Sequence, residues 1–93
     1  MSVDIKDNPA ESRFEISVDG RFAGFAEYTL TEKTVTFTHT EIYDDFEGQG
    51  LAGKLVAFAL DASRDTGLKV RPLCPYVARF IGKRPEYQDL VEG

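Results

Sequence analysis

The stretch Glu41–Leu60, EIYDDFEGQGLAGKLVAFAL, decides how the rest of the chain is read. β-prone residues run up to Ile42 and a short acidic segment follows. Gly48, Gly50 and Gly53 then come close together, and an apolar pattern at helical spacing begins. Strand, glycine turn and helix make an anion site. The glycines let bare backbone N–H groups approach a ligand, and the first helical turn adds unpaired N–H groups and the positive end of its dipole. The spacing predicts a helix from about Gly50 to Asp65, with Leu51, Leu55, Phe58, Ala59 and Ala62 as one apolar stripe and Gly67 as its left-handed terminator.

Upstream, Met1 to Glu11 shows no periodicity and reads as a flexible tail, which leaves residues 12–93 as a single domain. Arg13–Val18 alternates polar and apolar, a half-buried strand with Phe14, Ile16 and Val18 inward. Asp19-Gly20 is a two-residue hairpin signal. Arg21–Leu30 follows as a strand, with Phe22, Gly24, Ala26, Tyr28 and Leu30 on one face and Gly24 marking a bulge or a close backbone approach. After the turn at Thr31–Lys33, the strand Thr34–Ile42 is expected to carry Val35, Phe37, His39 and Glu41 on one face, and its threonines and Ile42 on the other. Downstream of the helix, Leu68–Arg71 is a short strand, parallel to Thr34–Ile42 because a helix crossover joins them. Pro75 suits the first position of a second helix, Tyr76–Lys83, with Cys74 as its N-cap and Pro85 ending it. The fold class is therefore α+β: an antiparallel meander, a crossover helix, a roughly parallel fourth strand and a second short helix.

A 93-residue chain with 42% hydrophobic residues has enough apolar material for one core. No apolar run approaches the length of a membrane span, and the polar, acidic start resembles neither a signal nor a transit peptide. The single cysteine forms no internal disulfide, which fits a cytoplasmic location. A net charge of −5 argues against nucleic acid as the main partner. The charge is uneven: no acid lies between Asp65 and Glu86, where Lys69, Arg71, Arg79, Lys83 and Arg84 fall, while Glu41, Asp44, Asp45 and Glu47 crowd the loop before the helix. Such runs are ordinarily solvated faces. Here they also fit a cationic wall for a phosphorylated ligand beside an acidic mouth for a cationic one.

Three motifs compete for the same glycines. Gly48 to Gly53 fits G-x-G-x-x-G, the dinucleotide fingerprint, but that motif needs a parallel βαβ unit and a downstream acid, and Pro72–Pro75 offers none. Gly48 to Lys54 fits the start of a P-loop, but Leu55 stands where a Ser or Thr would bind magnesium. The third is Glu47–Ala52, EGQGLA. It resembles the Q/R-x-x-G-x-G/A pyrophosphate signature of the GNAT acetyltransferases, with Gly50 and Ala52 matching and Glu47 departing from the usual Gln or Arg. With HTEI at His39–Ile42, PLCPYV at Pro72–Val77 and PEY at Pro85–Tyr87, the chain is similar to the small single-domain GNAT-like N-acetyltransferases over roughly Ser12 to Val91.

The resemblance implies acetyl-CoA as cofactor and an amine as acceptor for an N-acetyltransferase that is a monomer or a homodimer, and the acidic loop Glu41 to Glu47 suits a cationic amine. It implies that Glu47, Gly48, Gln49, Gly50, Leu51 and Ala52 hold the pyrophosphate, that the backbone of Ile42 and Tyr43 pairs with the pantetheine arm, and that Lys54, Lys83 or Arg84 meets the 3′-phosphate. Glu41 stands where such enzymes often keep a general base, against the plainer reading of an exposed strand end. His39 is two residues away on the same face, either supporting the site or a hydrogen-bonded core residue. Cys74 is a proton donor or acetyl carrier on one reading and a small buried apolar residue on the other. Tyr76 is the competing acid, and Phe80 and Tyr87 are read as packing. The rival from another class is a non-catalytic CoA-binding or protein-interaction module.

Overall fold

A computed structural model describes residues 2–92. Five strands form one mixed sheet in the order β1 (Val3–Asn8), β2 (Arg13–Val18), β3 (Arg21–Leu30), β4 (Thr34–Ile42) and β5 (Lys69–Pro72). The first three pairings are antiparallel and β4 pairs β5 in parallel. Helix α1 (Leu51–Asp65) is the crossover between β4 and β5, α2 (Pro75–Gly82) follows, and a single turn, α3 (Pro85–Gln88), closes the chain against it. Among the described residues the three helices gather on one face of the sheet, α3 through its packing on α2, and the other face carries no helix. Among the described residues no helix is long and apolar enough to cross a membrane.

Alternation made β2 and the start of β4. Phe14, Ile16, Val18, Val35 and Phe37 are buried against Leu51, Leu55, Val56, Ala59 and Leu60 of α1. The stripe of α1 is therefore rotated from the expected one. Val56 and Leu60 are in the core, while Phe58 is 41% exposed and meets the Phe14 ring edge to face, ring centroids 6.2 Å apart. Gly67 ends the helix at φ 75°, as expected of a left-handed terminator. Pro75 opens α2 with Cys74 as N-cap.

The expected flexible tail is corrected over residues 3–8, which form edge strand β1 in register with β2. Its polar side chains hide the alternation, but Val3 and Ile5 pack on the core and Asp7 accepts a 2.7 Å hydrogen bond from the Tyr28 hydroxyl. Burial and that bond push the Tyr28 hydroxyl up to about 12. The sign follows: the folded state keeps this proton above pH 10 while the unfolded chain loses it, so folding stability falls between about pH 10 and pH 12. Alkaline denaturation should show this slope, and Tyr28→Phe should flatten it. An unchanged slope in the variant would place the alkaline loss elsewhere.

Two β-bulges change which side chains share a face. Ile16 pairs Gly24 and Ser17 pairs Phe22, so Ala23 is an extra residue in β3. Phe22 therefore leaves the face of Ala26 and Tyr28 and stacks on Phe25, and Leu30 at the strand end is 59% exposed. Glu27 pairs His39 and Tyr28 pairs Phe37, so Thr38 is an extra residue in β4. The expectation that His39 and Glu41 continue the face of Val35 and Phe37 is thereby corrected. Beyond the bulge Thr40 and Ile42 turn toward the helices, and His39 and Glu41 turn to the open face. Gly24 meets the close approach expected of it: a Cβ there would overlap the Glu41 carbonyl oxygen and lie 2.7 Å from Ile42 Cδ1.

Candidate functional site

The site begins where β4 and β5 part. Their register ends at Phe37 opposite Pro72, and the Cys74 N–H donates to the Phe37 carbonyl at 2.9 Å. Beyond this point β5 gives way to α2 and the outer half of β4 is left unpaired on that side. The Tyr43 N–H donates to Ala23 on the β3 side. By strand alternation the backbone groups of Ile42 then point the other way, into the gap.

A cavity of about 430 Å³ opens there, lined by Thr40, Ile42, Phe46, Glu47, Gly48, Gly50, Leu51, Ala52, Gly53 and Tyr76. Its floor is the start of α1. The N-cap is Gly50 at φ 72°, and no side chain caps the helix. The N–H groups of Leu51, Ala52 and Gly53 therefore have no intrahelical acceptor and point out of the helix end. Gly48 and Gly50 both have positive φ, a conformation costly for other residues, and a Cβ at either would meet nothing within 4 Å. The loop is thus shaped by its backbone and open beside Gly48 and Gly50. At Gly53 a Cβ would lie 3.8 Å from both the Tyr76 hydroxyl and Phe80, which puts that hydroxyl beside the helix end.

Two recesses adjoin this cavity. One, about 190 Å³, is lined by Tyr76, Arg79, Phe80, Lys83 and Arg84 and shares Tyr76 with the main cavity. The Arg84 guanidinium lies 3.9 Å from the Phe80 ring centre. The other, about 470 Å³, is lined by Glu41, Ile42, Tyr43, Asp44, Asp45 and Glu47 and shares Ile42 and Glu47 with the main cavity. One of its carboxylates, Asp45, faces Arg21 at 3.6 Å, with both side chains well exposed.

The structure brings together Ile42, Glu47, Gly48, Gly50, Leu51, Ala52 and Tyr76, all lining one cavity. Lys83 and Arg84 gather in the basic recess, joined by Arg79 of the same basic run. Gln49 and Lys54 are exposed and line none of these cavities. His39 and Glu41 do meet, with Nε2 3.2 Å from Oε1. They lie on the helix-free face beside Phe25, whose ring is 5.9 Å from His39 and 6.3 Å from Tyr43. On that face the Arg13 guanidinium sits 5.1 Å from the Phe25 ring, and its hydrogen bond holds the Glu15 carboxyl below the usual range. Cys74 is 4% exposed and does not line the cavity; its sulfur lies 3.6 Å from Thr40 Oγ1. Thr40 and Phe46, which reach the cavity, are lining residues that the sequence reading does not single out.

Over residues 13–90 the chain matches the family described as GCN5-related N-acetyl-transferase. It belongs to that family. It is 29% identical over 92 residues to Protein NATD1 of Xenopus tropicalis, covering 96% of this chain and 84% of that protein. It spans about half the length of other NATD1 relatives, 54% of that from Danio rerio. A GCN5-like N-acetyltransferase from Staphylococcus aureus, solved by NMR, superimposes with a TM-score of 0.73 at 25% identity, over 97% of this chain and 88% of that one. N-acetylglutamate synthase from Neisseria gonorrhoeae, solved with coenzyme A and N-acetyl-glutamate, shares the fold with a TM-score of 0.63 at 16% identity, over 78% of this chain and 18% of that one. Family and fold agree with the α+β architecture and support acetyl transfer as the general class of activity.

Proposed function

We propose that the chain binds acetyl-CoA in the gap between β4 and β5 and transfers its acetyl group to an amine. The observation that carries this reading is the 430 Å³ cavity floored by an uncapped helix N-terminus and an open glycine loop. Unpaired N–H groups at a positive helix end suit a pyrophosphate, and the recess of Arg79, Lys83 and Arg84 next door suits a further phosphate. The residues present therefore fit the cofactor, with one departure. Glu47 places a carboxylate in the lining, so the loop holds the pyrophosphate by backbone rather than by that side chain. Bound acetyl-CoA supplies the activated thioester.

This chain's own groups do the rest. Ile42 offers backbone partners in the gap. Glu41, held by His39, takes the proton of the incoming amine directly or through water, at the recess that meets the main cavity at Ile42 and Glu47. The carboxylates of that recess favour an amine that carries positive charge. A second reading, a non-catalytic CoA-binding or protein-interaction module, draws on the exposure of the His39 and Glu41 side chains, 53% and 46%.

Calorimetric titration with CoA and acetyl-CoA tests the reading, followed by release of free thiol in the presence of a panel of amines. Saturable binding of both and amine-dependent thiol release are expected. Binding without release would favour the CoA-binding module, and no binding would overturn the cofactor reading and leave the protein-interaction module.

A further inference from the structure

The bulge at Thr38 turns Thr40 inward, and β5 ends just where Cys74 comes alongside it. The thiol, almost wholly buried, donates to Thr40 Oγ1 across 3.6 Å. A hydroxyl has one proton and two lone pairs, so accepting from sulfur leaves its own O–H to be given away. Among the described residues the Thr40 hydroxyl donates to no protein group, and it lines the main cavity. The other hydroxyl in that lining, Tyr76, stands beside Gly53 at the helix end, where the anion is expected. Thr40 lines the same cavity on β4, just beyond the point where the strands part.

We propose that the Thr40 hydroxyl is the side-chain donor that meets the acyl carbonyl in this cavity, and that Cys74 is a positioning residue that holds it rather than a nucleophile or acid. The inference rests on the cofactor reading above. Attack by the amine forms a C–N bond and drives the carbonyl electron pair onto oxygen. When the oxyanion collapses, the C–S bond breaks and the thiolate leaves with its electron pair. Thr40 donates a hydrogen bond to that oxygen while its charge lasts, and no proton leaves Thr40 or Cys74. Removing one such donor from a preorganised site typically lowers kcat by roughly 10²–10³-fold.

The test is the infrared carbonyl stretch of bound acetyl-CoA, labelled with carbon-13 at the carbonyl, in the parent and in Thr40→Val, Thr40→Ser, Cys74→Ala and Thr40→Val/Cys74→Ala. Melting curves and kcat and KM are measured alongside. The parent band should lie below its frequency in free acetyl-CoA. Thr40→Val should return it to the free value and lower kcat on the order of 10²-fold with KM within a few-fold. Thr40→Ser should keep the shifted band. Cys74→Ala should weaken the shift and add nothing in the Thr40→Val background. Without cofactor, the thiol of the folded parent should resist iodoacetamide. A band unmoved by Thr40→Val overturns the proposal, and so does a Cys74→Ala loss that persists in full in the double variant, or rapid alkylation of the folded parent. If Thr40→Val does not fold, the same comparison is made with Thr40→Ala. A parent that takes up no acetyl-CoA overturns the cofactor reading and this inference together. A parent that binds it with a shifted band that survives loss of the Thr40 hydroxyl overturns this inference alone.

Discussion

Ala52→Asp is expected to weaken CoA binding by roughly 10²-fold or more while leaving the fold as stable as the parent or slightly more so. Ala52 is in the first turn of α1, beside an N-terminus that no side chain caps. An aspartate there complements the helix dipole and favours the folded state by about 0.3–1 kcal/mol. The same carboxylate faces the cavity where the pyrophosphate is proposed to sit. Like charges about 5 Å apart repel by roughly 3 kcal/mol at an effective dielectric near 20. The variant separates binding from folding, which substitutions at Gly48 or Gly50 do not, because both have positive φ and any side chain there also strains the loop. Calorimetry and thermal melting decide it. Affinity within a few-fold of the parent, in a protein that melts no lower, would place the anion elsewhere.

Glu41→Gln is expected to lower turnover by roughly 10²–10⁴-fold and leave CoA affinity unchanged. The substitution keeps the shape and the contact with His39 but removes the proton acceptor. The bulge at Thr38 sets the geometry: Glu41 faces the open side of the sheet while Thr40 and Ile42 face the cavity, so the proposed base and the proposed cofactor stand on opposite sides of one strand. An amine arriving from the helix-free face meets Glu41 first. Steady-state kinetics with any accepted amine checks this, and turnover within a few-fold of the parent would remove Glu41 from the mechanism.

The parts of the fold that were legible in the sequence are those whose signals are local. Alternation in Arg13–Val18, Asp19-Gly20 between two strands, and glycines before an apolar helical pattern each report a backbone state directly, and the meander, crossover and parallel fourth strand follow. The bulges were less legible. A threonine inserted among threonines at Thr38 leaves the period-two pattern looking continuous, although it reverses every side chain beyond it. For that reason the faces of His39, Thr40, Glu41 and Ile42 came out opposite to expectation and Thr40 was passed over. Strand β1 was hidden for a different reason. An edge strand needs only Val3 and Ile5 to reach the core, and its other side chains are free to be polar. At the site, the loop residues were legible because glycine spacing states a backbone requirement. Tyr76, Arg79, Phe80 and Lys83 gather because they fall at i, i+3, i+4 and i+7 on α2 and its C-cap, a local helical spacing, whereas the burial of Cys74 behind Thr40 depends on how α2 docks, which no local pattern encodes.

The loop between β4 and α1 is proposed to take the pyrophosphate of CoA on its backbone amides. Amide NMR shifts recorded during titration with CoA test it most directly. The account predicts that the largest changes fall on Gly48, Gly50, Leu51, Ala52 and Gly53, with those of β1 and the β2–β3 hairpin unmoved. Saturable binding that leaves these loop amides unshifted would contradict it.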